Sequence, residues 1–252
     1  MKKRNLFFVL LLAGLLPLLS SAQNLKISDS NFKKRLLNLG IDLNHDGEIQ
    51  VSEAQKVTKL DLDQAGIISL EGIKRFTSLK HLSFWTNQVN ALDLQGMSSL
   101  EEIYGYDNQI QEVNLKGLVN LKTLYLHQNK ITTIDLSGLD KLEDILLRRN
   151  SISKIILSNL PKLTNVEIQK NRLSDLKIIA CPAIKMIRLD ENELTQMDFT
   201  ACRALEEISL AENPLISLDI RGLRRLNSLD CVYTRLSSLN MSGTVSLKKV
   251  DW

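Results

Sequence analysis

The chain has 252 residues, of which 44% are apolar, 24% charged and 5% aromatic, with 4 Pro, 11 Gly and 3 Cys. Such a composition excludes a disordered chain, which needs fewer apolar residues, a disulfide-dense mini-protein, which needs more cysteine, and collagen, which needs far more Gly and Pro. The formal net charge is +3, and Lys2, Lys3 and Arg4 supply all of it: beyond residue 22, 32 basic residues become 29 against 29 acidic ones. The balance gives no reason to expect nucleic acid as a partner.

The first segment, residues 1–22, pairs that basic start with an apolar run from Leu6 to Leu16, and then Pro17 and Ser20-Ser21-Ala22. This is the pattern of an export signal cleaved before Gln23. The run is too short to span a bilayer comfortably, although an uncleaved anchor is the alternative. No later apolar stretch reaches spanning length. The expectation is a soluble mature chain without a membrane span, secreted or at the cell surface, with the periplasm as the alternative.

Residues 23–56 are expected to form a small helical N-terminal cap. Phe32, Leu36 and Leu39 recur at helical spacing between Ser30 and Gly40. The segment from Asp42 to Glu53, DLNHDGEIQVSE, follows. It resembles an EF-hand calcium loop position by position. Asp42, Asn44 and Asp46 fall on the first three ligand places, Gly47 on the sharp turn, Ile49 on the apolar place and Glu53 on the last one. The resemblance implies Ca²⁺ held by Asp42, Asn44, Asp46, the carbonyl of Glu48 and Glu53, with a water held by Gln50. A polar turn helped by Gly47 is the alternative. Ser52 to Gln55 fits a capping box, which predicts a short second helix there.

Residues 57–252 are organised by a fixed period. Leu79, Leu100, Leu121, Leu142, Leu163, Ile184, Leu205, Leu226 and Leu247 stand 21 residues apart, and each opens a unit of the form LxxLxLxxN. The Asn recurs at Asn87, Asn108, Asn129, Asn150, Asn171, Asn192 and Asn213. A 22-residue variant covers Val57 to Ser78, and a truncated unit ends the chain. A period of this size means a solenoid. The L-x-L alternation predicts one short strand per unit with two inward side chains, and stacked units set these strands in parallel about 4.8 Å apart. The Asn is expected to turn the chain and to satisfy backbone groups of its own bend and of the neighbouring coil. Each unit repeats within itself, as in Ile131-x-x-Ile134-x-Leu136. A second run of short extended or 3-10 segments is therefore expected on the opposite, convex face.

The pattern resembles the leucine-rich repeat family, in its bacterial form with two similar half-units and more loosely the internalins. The resemblance covers roughly residues 57–252. It implies a binding scaffold with a protein partner, host and cell-surface proteins among the candidates.

Residues between and beside the inward aliphatics face outward on the strand side, expected to be concave. Trp85, Tyr104, Tyr106, Tyr125 and His127 fall there on three consecutive coils, edged by Leu146 and Arg148. Clustered Trp, Tyr and Arg are the usual anchors of an interface. The alternatives are a cross-strand ladder that only stiffens the sheet, or a glycan site in which the rings stack on sugars and Asp61, Asp63 and Glu102 accept hydroxyls. A structural spacer without a ligand also remains open.

Cys181 and Cys202 occupy an inward slot and Cys231 replaces a strand aliphatic, so all three are expected in the core; a strained Cys181–Cys202 bridge is the alternative. His81 and His127 have no carboxylate or thiol company in the pattern and make weak metal candidates. No HExxH, GxSxG or phosphate-binding Gly loop is present, and the polar residues keep to the repeat. An enzyme is not expected.

Overall fold

A computed structural model describes residues 23–252. The expected export signal lies outside the described residues. The L-x-L alternation becomes ten short parallel strands in one sheet, from Lys59–Asp61 at one end to Lys249–Asp251 at the other. Every pairing keeps the repeat register, as in Leu82↔Ile103 and Ile103↔Leu124. The inward aliphatics of all coils merge into one continuous core.

One coil departs from the pattern. Its second inward slot holds Gly105, and the neighbouring Phe84 ring fills the space: a Cβ on Gly105 would run into the Phe84 ring tip. Large and small residues on adjacent coils thus keep the core at constant volume.

The recurrent Asn links successive coils. Asn108 donates through Nδ2 to the carbonyl of Phe84 one coil earlier (3.0 Å) and of Gly105 in its own bend (3.3 Å). Its Oδ1 accepts the Val89 N–H at 3.0 Å. Asn129, Asn150, Asn171, Asn192 and Asn213 repeat the arrangement. Each bond contributes about 1 kcal/mol net. They offset a local cost, because the residue before each ladder Asn is left-handed, with φ between 52° and 58° from Thr86 to Glu212. That conformation costs roughly 1–2 kcal/mol per non-glycine residue.

The second-face segments do form, but as three separate parallel pairs, not one run. Ala91–Asp93 pairs with Glu112–Asn114, Lys154–Ser158 with Asp175–Ile179, and Ser217–Asp219 with Ser238–Asn240. Their lengths have a local cause. Asp93, Asn114, Asp135, Asp198, Asp219 and Asn240 occupy one repeat position, and each side chain accepts the N–H two residues on, which bends the chain away. Ile156 and Lys177 stand at that position in the two coils whose strands extend to five residues. A 3-10 turn, Ile73–Arg75, occupies the first coil.

Two helices precede the sheet. Helix α1 spans Ser30–Asn38 and buries Phe32 and Leu36. Asp29 caps it, accepting the N–H of Asn31 and Phe32 through Oδ1. Through Oδ2 it accepts those of Ile68 and Ser69 in the first coil, so one carboxylate joins cap and solenoid. Burial alone raises its pKa, but the four N–H donors outweigh burial and hold it below its ordinary value. Helix α2 is a single turn, Val51–Ala54. Its capping box is formed by Gln50 and Glu53 and not by the expected Ser52 and Gln55, because Glu53 reaches back to the Gln50 N–H at 2.8 Å.

Gly105→Ala is expected to destabilise the protein by about 1–3 kcal/mol through overpacking, and Phe84→Leu in the same chain should recover most of that loss. Urea unfolding of the two single variants and the double variant measures it; additive losses would contradict the contact.

Candidate functional site

The sheet register brings together the rings that the sequence places on adjacent coils. Trp85 and Tyr106 stack with centroids 5.6 Å apart and planes 1° from parallel. Tyr106 and His127 stack at 4.5 Å and 8°. In the neighbouring column, Tyr104 and Tyr125 meet edge to face at 5.3 Å and 84°. These five rings make two short files on the outward side of the long sheet. Leu146 and Arg148 occupy the next coil in the same two columns. Trp85, the three tyrosines, Leu146 and Arg148 are half-buried, whereas His127 is only 7% exposed.

Two of the three tyrosine hydroxyls are tied down. Tyr104 donates to Glu102 at 2.9 Å, and Tyr125 to Asp144 at 2.6 Å. Burial, and then the Glu102 carboxylate, push the Tyr104 phenol up to about 12. Asp144 also accepts from Asn165 Nδ2 at 2.8 Å. His81, unlike the sequence expectation, does have carboxylate company: its Nδ1 lies 3.1 Å from Glu102. His127 forms no ion pair among the described residues, although the Asp107 carboxylate is near enough to favour its charged form, and its Nδ1 is buried without a hydrogen-bond partner. Burial, followed by the adjacent Arg148 guanidinium, lowers its pKa to about 4, so the ring between Tyr106 and Arg148 is neutral.

Asp63 sits beside Trp85, accepting the Ser83 hydroxyl at 2.6 Å and the Trp85 N–H at 3.1 Å. Its pKa is raised, by burial first and then by the neighbouring Asp61 carboxylate. Asp61 itself meets Arg35 of helix α1 at 3.3 Å.

The residues of the expected calcium loop run from the segment after helix α1 into helix α2, which holds Glu53. Asp42 (7% exposed) accepts the N–H of Asp46 and Gly47, and Glu53 (6% exposed) accepts those of Leu43 and Gln50. Asp46 accepts from the Glu48 N–H and from Gln50 Nε2, and Asn44 from the Asp46 N–H. The Glu48 side chain pairs with Lys33 at 2.6 Å. Gly47 is left-handed at φ 81°, as the sharp turn requires. The donor set is all oxygen, which suits a hard cation. Its oxygens are turned onto loop N–H groups, and among the described residues no group of three or more His, Cys, Asp or Glu is placed to hold a metal ion.

The cysteines are all free and buried. No bridge joins Cys181 to Cys202, and burial pushes the Cys202 thiol up to about 12.

Comparison with known proteins agrees with the architecture. A family model described as leucine rich repeat matches residues 106–152. The fold is a leucine-rich repeat solenoid. Among solved structures, YopM from Yersinia enterocolitica superposes with a TM-score of 0.65 at 19% identity over 78% of this chain and 47% of its own. Internalin C2 from Listeria monocytogenes gives 0.61 at 21% identity over 84% and 93%. The LRIM1/APL1C complex gives 0.66 at 19% identity over 76% and 38%. This chain thus spans about half or less of the length of two of these three. No curated protein sequence matches it. Leucine-rich repeat solenoids serve in general as protein-interaction scaffolds. Among the described residues, no helix is long and apolar enough to cross a membrane.

Because the His127 pKa falls from about 6.5 to about 4 on folding, the unfolded chain binds more protons between those values. The associated stability is full above pH 6.5 and is lost as the pH falls toward 4. After allowance for partial solvent screening it amounts to about 1–2 kcal/mol. His127→Phe, which keeps a ring in the stack, should flatten the pH dependence of the melting temperature over that window; an unchanged slope would contradict the buried neutral ring.

Proposed function

We propose that this chain is an exported module that recognises a protein partner through Trp85, Tyr104, Tyr106, Tyr125, His127, Leu146 and Arg148, on the sheet face read from the sequence as concave. The observation that carries the reading is the contact between rings from successive coils, which makes one continuous surface out of residues 21 apart in sequence. Half-buried Trp, Tyr and Arg side chains of this kind present large, rigid contact area at low entropic cost. The leucine-rich repeat neighbours support an interaction scaffold in general, and one of them is a protein complex. The glycan alternative is weaker on these rings. Tyr106 has Trp85 on one face and His127 on the other, so neither of its faces is left to stack on a sugar. No catalytic role is assigned. In this reading residues 1–22 are the export signal, 23–56 the cap and 57–252 the solenoid.

The combined variant Trp85→Ala, Tyr106→Ala and Tyr125→Ala tests the assignment. With an unchanged circular dichroism spectrum, it should lose a surface-protein partner captured by the unaltered chain, with affinity at least about tenfold weaker. Retained capture would end the assignment, and loss of signal on a glycan array instead would move the reading to carbohydrate.

For the cap we infer a structural Ca²⁺ held by Asp42, Asn44, Asp46, the Glu48 carbonyl and Glu53. Each carboxylate oxygen that accepts one N–H keeps a second lone pair for a cation. Millimolar extracellular calcium would fill even a weak site of this type. Addition of a chelator should lower the melting temperature of the mature chain, and Glu53→Gln should remove that response. A melt indifferent to both would retire the ion.

A further inference from the structure

The long sheet carries an unequal share of the charge. Its three outward columns, between Lys59 and Asp251, hold nine carboxylates and four Lys or Arg residues. Beyond residue 22 the chain has 29 residues of each sign. The acidic excess on this face is therefore a segregation within a balanced chain.

Its distribution along the solenoid is informative. Off this face several carboxylates meet cations: Glu101 meets Lys80 and Lys122, Asp175 meets Lys154, Glu191 meets Lys170 and Asp219 meets Arg221. Toward the C-terminal end of the face itself, Arg188 meets Glu207 and Glu167. Around the rings the pattern changes. Asp63 is satisfied by a serine hydroxyl and a backbone N–H, and Asp144 by Tyr125 and Asn165. Glu102 takes the Tyr104 hydroxyl and His81. Among the described residues, no Lys or Arg lies within ion-pairing distance of these three. Hydroxyl, amide, imidazole and backbone N–H groups hold them in place instead.

We propose that the aromatic face takes a cationic protein segment, one that sets Arg or Lys side chains between the rings and the carboxylates of Asp63, Glu102 and Asp144. This rests on the reading of the face as an interaction surface and adds the chemistry of its partner. A guanidinium suits both halves of the arrangement, because its charge is drawn to an aromatic ring while its fork meets a carboxylate. The Asp61–Asp63 pair, in which one carboxylate raises the pKa of the other, gains relief from an added cation. Arg148 closes the patch at the opposite end and repels a cation there, so the contact is directed toward Asp63 and Trp85. The solenoid thereby specifies a polarity for the bound segment.

The test uses two fluorescent peptides of roughly twelve residues with the same Tyr, Leu and Ser content. One carries Arg at alternate positions and the other Glu. Anisotropy against the full chain should detect the Arg peptide alone, with affinity falling between about 50 and 300 mM salt. Asp63→Asn with Asp144→Asn should weaken binding roughly tenfold. Asp93→Asn with Asp135→Asn, the same charge change on the second face, should leave it unaltered. The proposal is overturned by no binding of the Arg peptide, by equal or tighter binding of the Glu peptide, or by equal sensitivity to the second-face pair. It is also overturned if sedimentation shows that the face is occupied by a second copy of the chain. Should both peptides bind equally and both be lost with Trp85→Ala, Tyr106→Ala and Tyr125→Ala, the charge assignment fails while the face remains an interaction surface. Should that triple variant bind the Arg peptide unchanged, the interaction surface itself is refuted.

Discussion

The side-chain amide of the recurrent asparagine does two jobs that no apolar residue could combine. It closes the bend after each sheet strand, and it reaches one coil back to bond that coil's carbonyl and N–H. Backbone groups at a buried bend are costly to leave unpaired. Once every bend is satisfied by the next coil, a coil becomes stable only as part of a stack. The same bonds hold a left-handed residue at each turn, a conformation the substituted side chains there would otherwise resist. At position 234 the ladder residue is Thr, whose hydroxyl bonds only its own coil at Cys231.

Stacking in a common register has a consequence for chemistry. Any residue type placed at one repeat position becomes a column on the surface, with neighbours a strand spacing apart. The aromatic files, the alternating Lys80–Glu101–Lys122 ion pairs and the Asx bends on the second face are all products of that rule. Local substitutions change the columns without breaking the stack. Ile156 and Lys177 remove the Asx bend and lengthen two strands, and Gly105 yields its volume to Phe84. A scaffold of this sort accepts new surface chemistry one coil at a time.

The cap shows the opposite economy, with single residues serving several elements. Asp29 caps helix α1 and holds the first coil, and Arg35 on the same helix bonds the Asp61 carbonyl at 2.9 Å. The exposed core at that end of the solenoid is covered by Phe32 and Leu36. Repeat proteins need such a terminus because the first coil has no predecessor to bury its face.

Much of this was legible in the residues themselves. A fixed 21-residue period with alternating aliphatics determined parallel stacking, the two inward slots and the columns that carry Trp85 to Arg148, because strand periodicity leaves no other face for them. Helix α1 was legible for the same reason, through its apolar spacing. The tertiary structure decided what depends on contacts between coils. It set the ring geometry, the burial of His127, the approach of His81 to Glu102 and the division of the second face into three pairs. It also decided which carboxylates meet a cation and which meet only hydroxyls and amides. Periodicity states which residues are neighbours; how two neighbouring side chains orient is settled by packing around them, and that information is not local to either.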